Sequence, residues 1–302
     1  MVSILIVNWN TKELLLNCID SIYKNTSDIQ FEIIVVDNNS VDESVNAVKS
    51  NYPQIKLIIS DKNLGFAGGN NLGLPHCEGE HILLLNPDTL VHPESIKKMV
   101  DVLNSHPDYA CIGPALIGTD EKLQISAFGL YPGVREAFFH AVRIWKLAPN
   151  SDAAKSFLLS SGNGNLIETA HILGACMLFN ADILRTLKGF DEDFFLFLEE
   201  TDLCYRAKKL GYKIGYFNGV SITHVGEQSM QKILQKTGGL YIRSYNLYCK
   251  KRAMGLLSRV LVNISLCIGV IIESILGLVK YKSPKRALSS LTAIIYGYLI
   301  KP

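Results

Sequence analysis

An α/β fold on a mostly parallel central sheet is what this sequence predicts, from three observations. β-like runs recur at Val2–Val7, Phe31–Val36, Ile55–Ile59 and Ile82–Leu85, they are almost continuously apolar, and helical stretches separate most of them. Strands without polar alternation need cover on both faces, as parallel strands joined by helical crossovers have. Ligands of such sheets bind beyond the strand C-termini.

In chain order, the first run leads to a helix over Glu13–Lys24, with Leu15, Leu16, Ile19, Ile22 and Tyr23 on one side. Asn63–Gly73 holds four glycines and three asparagines, which predicts close backbone approach to a ligand and a following helix with free N–H groups for an anion. No Gly-Lys-Ser/Thr follows it, and a dinucleotide fingerprint would follow the first strand instead. The fourth run stops at Asn86-Pro87-Asp88. Proline accounts for the stop but not for the carboxylate. Polar clusters thus close three strands: Asn8-Trp9-Asn10, Asp37-Asn38-Asn39-Ser40 and Asn86-Pro87-Asp88-Thr89. One such cluster is ordinary turn and cap chemistry; three on one sheet edge point to a site.

Residues 110–170 read less clearly. The stretch Ser160–Asn165 reads as a mobile loop, and Lys122–Trp145 mixes aromatic residues with Arg135 and Arg143, as a lid or an ordinary surface loop would. Stop signals at Lys208, Lys209 and Gly211 then predict a helix over Glu199–Leu210. Its inward face is Leu203, Cys204, Ala207 and Leu210, and Glu200 falls on that face. Acids in a first turn suit the helix dipole, but an inward carboxylate beside a cleft also suits a general base, so Glu200 is the candidate. Asp202 and Arg206 read as a surface pair of little weight. The run from Val220 ends at His224, a structural residue unless it converges with Asp88 on a divalent ion.

Formal charge is +2 and the pI about 8.1, so composition makes no case for a nucleic-acid partner. The seven cysteines form no C-x-x-C pair and sit mostly in apolar runs, which favours reduced thiols and a cytoplasmic setting. No signal peptide is expected at Met1–Val7. Leu256–Val279 is largely apolar, with Arg259, Asn263, Ser265, Glu273 and Ser274 in one half of a helical wheel. Flanking basic residues, Lys250-Lys251-Arg252 and Lys280 to Arg286, fit an amphipathic helix in a membrane interface. A helical subdomain or oligomer contact, and a two-helix hairpin with Ala287–Ile300, stay open. The expected division is a catalytic domain over 1–235 and a helical, basic and apolar segment over 236–302.

Taken as an ordered series, these motifs resemble the family 2 glycosyltransferases of the GT-A fold, in particular their rhamnosyltransferase-like branch. The resemblance spans residues 1–250: Ile6–Asn10, Val35–Ser40, Asn63–Asn70, Leu85–Asp88, Gly174–Met177, Gly189–Glu192, Glu199–Cys204, and His224 with Gly226 and Ser229. It implies a Rossmann-like α/β fold with a C-terminal membrane-associating segment. It further implies inverting transfer from a nucleoside-diphosphate sugar, a dTDP, UDP or GDP conjugate with rhamnose among the sugars, to a glycan or lipid-linked acceptor in cell-surface polysaccharide synthesis. Asp88 then stands at the last acid of the D-x-D-type motif, with Asn86 in place of the first, and Asp88 and His224 would hold Mg²⁺ or Mn²⁺. Asp37 and Asn39 match base and ribose contacts; Asn8, Gly65, Asn70 and Asn86 belong to the donor pocket. Gly174, Ala175, Cys176 and Asp202 form the sugar-facing set, and Glu200 or Glu199 is the base. The rival readings are a sugar-phosphate nucleotidyltransferase, whose Gly-rich loop near the first strand is missing, and an inactive scaffold or sugar-binding subunit.

Overall fold

The computed structural model describes residues 1–148, 150–157, 164–226 and 234–279, and the single positions 288, 292 and 297. Most of Ser160–Asn165, Ser229 and nearly all of 280–302 therefore lie outside the described residues. In chain order the elements are β1 (Val2–Asn8), α1 (Lys12–Asn25), β2 (Phe31–Asp37), α2 (Ser44–Asn51), β3 (Lys56–Ile59), α3 (Gly65–Gly73), β4 (His81–Leu85), β5 (Thr89–Val91), α4 (Ser95–Asn104), β6 (Tyr109–Ile117) and β7 (Ala127–Phe128). There follow α5 (Val134–Ala141), α6 (Ile144–Leu147), α7 (Asp152–Phe157), β8 (Leu166–Thr169), β9 (His171–Ile172), β10 (Cys176–Asn180), α8 (Ala181–Thr186), α9 (Glu199–Lys209), β11 (Lys213–His224), α10 (Leu234–Lys251) and α11 (Leu256–Val279).

The main sheet runs β3-β2-β1-β4-β10-β6-β11-β5, with β8 also on β11. Its first four strands are parallel, as their apolar runs predict. Beyond them β10 lies antiparallel to β4 and β6, β6 and β11 are parallel, and β5 and β8 run antiparallel to β11. Residues alternate between faces at period two. Val2, Ile4 and Ile6 pack with Leu15, Cys18, Ile19 and Ile22 of α1, while Leu5 packs with Ala67 of α3 and Leu203 of α9. The inward face of α1 therefore includes Cys18, and Tyr23 is 38% exposed.

Two sequence expectations change. Asn63–Gly73 is not a loop before a helix: from Gly65 onward it is the helix. Its glycines serve packing, since a Cβ at Gly69 would lie 2.6 Å from Val7 Cγ1 and one at Gly73 2.3 Å from Leu5 Cδ1. Leu210 is 55% exposed, because α9 ends at Lys209 and Gly211 takes φ +92°.

Contacts divide the chain into two units. One comprises Met1–Gly129, Leu159–Phe195 and Glu199–Ser229 and carries the sheet; the other comprises Leu130–Leu158, Leu196–Leu198 and Met230–Pro302. The helical unit thus draws on residues 130–158 as well as on the C-terminal segment. Within it α11 packs on α5, where a Cβ at Gly269 would lie 3.3 Å from Ala141 Cα. Its polar residues face neighbouring helices: Asn263 exchanges amide hydrogen bonds with Asn246, Glu273 pairs with Arg143, and Ser265 and Ser274 are buried. The expensive carboxylate at Glu273 is thereby neutralised.

Candidate active site

The register of β1 on β2 sets Asn8 beside Asp37 at the strand ends. Both are buried, and Asn8 Nδ2 donates to Asp37 Oδ1 and to Ser40 Oγ, each at 3.1 Å. Thr11 Oγ1 donates to Asn8 Oδ1 at 2.7 Å, and the Ser40 N–H to Asp37 Oδ2 at 2.9 Å. A carboxylate fixed by two neighbours in this way is preorganised to accept from a ligand. Asn39 is exposed with φ 66°, at the mouth of this cluster. Asn38, beneath it, accepts from the Leu64 N–H and donates to the Gly65 carbonyl, which joins β2 to the start of α3. Asn70 is buried and its amide donates within α3 to the Phe66 carbonyl at 2.9 Å, one turn back in its own helix.

Asn86-Pro87-Asp88 is the break between β4 and β5. The Asn86 N–H donates to the Ala175 carbonyl at 2.9 Å, and the Asp88 carbonyl accepts from the Val225 N–H at 2.8 Å. Because His224 pairs with Thr89 in register, its ring meets Asp88, with Nε2 3.5 Å from Oδ1. Gln124, a residue without any motif, fixes the tautomer. Its Nε2 donates to the His224 carbonyl at 2.8 Å, so its Oε1, 2.9 Å from Nδ1, must accept the Nδ1 proton. In the neutral ring the Nε2 lone pair is the one that faces the carboxylate oxygen. Two acceptors turned toward each other fit a shared cation, and a ligand histidine held through its other nitrogen is the usual arrangement. Among the described residues no third His, Cys, Asp or Glu joins them.

The acids of α9 lie beside the same edge. Ala175, bonded to Asn86, is preceded by Gly174, and a Cβ at Gly174 would lie 3.6 Å from Glu200 Cβ and 3.5 Å from Phe66 Cζ. Ala175 and Cys176 are buried at the base of this contact. Burial raises the Glu200 carboxyl to about 7. Glu199 is 4% exposed, its Oε2 has no hydrogen-bond partner among the described residues, and burial followed by the charge of Glu200 holds its carboxyl well above the usual carboxylate range. Both acids thus fit the inward face, with Glu199 the more buried. Asp202 and Arg206 are not the surface pair expected from spacing. Asp202 is 2% exposed, Arg206 Nε donates to it at 2.7 Å, and the guanidinium also donates to the Leu187 and Gly189 carbonyls. The pair anchors α9 to the turn before it. Thr201, also buried, meets His171 Nδ1 at 3.2 Å, and the His171 ring stacks on Phe128. Neither Gln124 nor His171 carried a sequence signal; each is brought in by the folding of the unclear region after β6.

A family model described as glycosyl transferase family 2 matches residues 3–157, and one described as glycosyl transferase family group 2 matches residues 81–299. The chain is 27% identical over 226 residues to the low-salt glycan biosynthesis hexosyltransferase Agl10 of Haloferax volcanii, covering 74% of this chain and 66% of that protein. It is 25% identical over 206 residues to the N-acetylglucosaminyl-diphospho-decaprenol L-rhamnosyltransferase of Mycobacterium tuberculosis, covering 64% and 66%. The chain therefore spans just under two thirds of the length of these curated relatives. Among solved structures, the mannosyltransferase PcManGT of Pyrobaculum calidifontis, in complex with GDP-Man and Mn²⁺, superposes with a TM-score of 0.60 at 14% identity, covering 100% of this chain and 88% of that one. GalNAc-T7 with UDP, GalNAc and Mn²⁺ gives 0.56 at 14% identity, over 74% and 43%. The fold is GT-A, and the chain belongs to glycosyl transferase family 2.

Proposed function

We propose that this protein is an inverting glycosyltransferase that moves a sugar from a nucleoside-diphosphate sugar to a hydroxyl of a glycan or lipid-linked acceptor, at a cytoplasmic membrane face. The observation that carries this reading is the convergence of three polar groups on one sheet edge: the Asn8–Asp37–Ser40 cluster, the Asp88–His224 pair, and Glu200 beside Gly174. Asp37, Asn39 and Asn8 would receive the nucleoside, with Gly65, Asn70 and Asn86 shaping the pocket. Asp88 and His224 would hold Mg²⁺ or Mn²⁺, which when bound offsets charge on the departing diphosphate. Glu200 takes the acceptor hydroxyl proton as that oxygen bonds the anomeric carbon and the bond to the diphosphate breaks. Inversion follows from a single displacement, so the buried thiols have no chemical step.

The partly buried Glu200 suits this task, because a base poised near neutrality can both accept a proton and be ionised beforehand. Gly174, Ala175 and Cys176 would border the sugars, and Asp202 would act there through its anchoring of α9. Donors of the UDP and GDP classes are supported by the ligands of the structural neighbours, and a prenyl-diphosphate-linked acceptor by the name of the mycobacterial relative, while the dTDP class rests on the sequence resemblance. The membrane reading is supported by α11, whose 256–276 stretch has mean hydropathy 2.0 and is 22% buried. Leu257, Val260, Ile264, Ile268, Ile271 and Ile275 of α11 are exposed in one stripe, behind the basic Lys250, Lys251 and Arg252.

The test is nucleoside-diphosphate release from dTDP-, UDP- and GDP-sugars with Mn²⁺ and a prenyl-diphosphate-linked glycan. Turnover of one donor class, dependent on the acceptor and the metal, supports transfer. No turnover by folded protein that still binds a nucleotide moves the sugar-binding subunit to the front.

A further inference from the structure

Asn71 holds a segment distant in sequence although the site described above assigns it nothing. Its Oδ1 accepts from the Phe190 N–H at 2.8 Å, and its Nδ2 donates to the Phe190 carbonyl and to Glu192 Oε1, each at 2.9 Å. One side-chain amide thus satisfies both backbone groups of one residue, which fixes that residue's position and orientation together. The contact is close: Gly189 has φ +67°, and a Cβ there would lie 2.4 Å from Asn71 Oδ1.

The other end of α3 holds the same segment. The Phe66 N–H donates to the Phe195 carbonyl at 2.9 Å, and a Cβ at Gly65 would lie 2.2 Å from that oxygen. Between these ends the Phe66 and Phe190 rings meet edge-on with centroids 5.7 Å apart. Gly189–Phe195 is therefore strapped along α3. The chain then passes two left-handed residues, Phe197 at φ 71° and Leu198 at φ 66°, and enters α9 at Glu199. Non-glycine residues keep such conformations only where the flanking structure over-determines them. On its other side α3 starts on Asn38, next to Asp37, and Phe66 approaches Gly174, which also meets Glu200.

We propose that Asn71 is a positioning residue: by clamping Gly189–Phe195 to α3 it sets where Glu200 stands relative to a donor held on the α3 side. This rests on Glu200 as the base. The role differs from simple stability because its product is alignment of the base with the donor, so loss of the clamp lowers kcat and spares nucleotide affinity.

The test compares Asn71→Ala, Asn71→Asp, Glu200→Gln and Asn71→Asp combined with Glu192→Gln. Turnover is read as nucleoside-diphosphate release from UDP-glucose, GDP-mannose and dTDP-rhamnose, and affinity by calorimetry with UDP, GDP and dTDP in Mn²⁺. Asn71→Ala is expected to lower kcat at least about tenfold with nucleotide Kd within about threefold. Asn71→Asp keeps the bond to the Phe190 N–H but sets a carboxylate oxygen against the Phe190 carbonyl and Glu192, so its kcat falls too, and the added Glu192→Gln replaces one of the two repulsions with a hydrogen bond and recovers part of the rate. Should Asn71→Ala not fold, the Asn71→Asp pair alone decides. Unchanged kcat in the Asn71 variants while Glu200→Gln is inactive overturns this proposal alone, as does a parallel fall of kcat and affinity without rescue. A fully active Glu200→Gln overturns the base assignment and this proposal with it.

Discussion

In the sheet unit Val2, Ile4, Leu5 and Ile6 are fully buried and the polar residues Asn8, Asp37 and Asp88 gather where strands end; in the helical unit the order is reversed along α11. There Ile264, Ile271 and Ile275 are about half exposed, while Ser265 and Ser274 are buried and Glu273 is paired with Arg143. The sheet unit buries its apolar strands and gathers polar groups at their ends. The helical unit, with Asn263, Ser265, Glu273 and Ser274 of α11 bonded inside, leaves an apolar face, which the proposed lipid interface would cover. The acid pair of α9 departs from the pattern of the sheet unit, since Glu199 is a buried carboxyl whose Oε2 has no hydrogen-bond partner among the described residues.

The contrast can be broken at several points. Glu200→Gln is expected to lower transfer about a thousandfold with nucleotide binding intact, measured by donor turnover and calorimetry. In the wild type the rate should rise with pH through about 7, since the ionised carboxylate is the active form. A flat profile would place the base elsewhere.

Ile264→Glu combined with Ile271→Glu tests the apolar face. Each removes a side chain whose transfer from water contributes about 2 kcal/mol, so sedimentation with phosphatidylglycerol-containing vesicles should weaken at least about a hundredfold. Thermal stability should hold, because both positions are half exposed. Binding that persists would mean that the stripe is covered by something other than lipid.

The smallest effect concerns Glu136, buried in α5, where burial raises its carboxyl to about 7 and Tyr245 donates to it at 2.5 Å. The folded state therefore holds this proton to higher pH than the unfolded chain does. The stability it contributes is present below the ordinary carboxylate range and lost as pH rises through about 7. Glu136→Gln should flatten that loss, raising Tm by a few degrees at pH 8 relative to pH 6 when compared with wild type.

The parallel half of the sheet was legible because double-sided burial makes β1, β2 and β4 continuously apolar. The break at Asn86-Pro87-Asp88 was legible as the end of β4, because proline cannot continue a central strand, whereas the meeting of Asp88 with His224 needed the pairing of β5 with β11. Helix α3 was hidden, because glycine disfavours helix and its absent side chains become useful through close contacts with Leu5, Val7 and Phe195, which lie far away in sequence. Spacing put Glu200 on the inward face with Leu203 and Cys204 but did not show that Glu199, four residues before Leu203, is the more deeply buried acid. The Asp202–Arg206 spacing was visible but its burial was not, for the carbonyls of Leu187 and Gly189 that complete it come from another turn. Gln124 left no trace, being placed by the bridge of Ile117 with Leu123 that returns the chain toward β11.

The most direct test of the account is calorimetric titration of the full chain with UDP, dTDP and GDP, each with and without Mn²⁺, beside Asp88→Ala and Gln124→Ala. Metal-dependent binding of one nucleotide class is expected, lost in Asp88→Ala and weakened about tenfold in Gln124→Ala, which frees the His224 tautomer. Binding that ignores the metal and survives Asp88→Ala would contradict it.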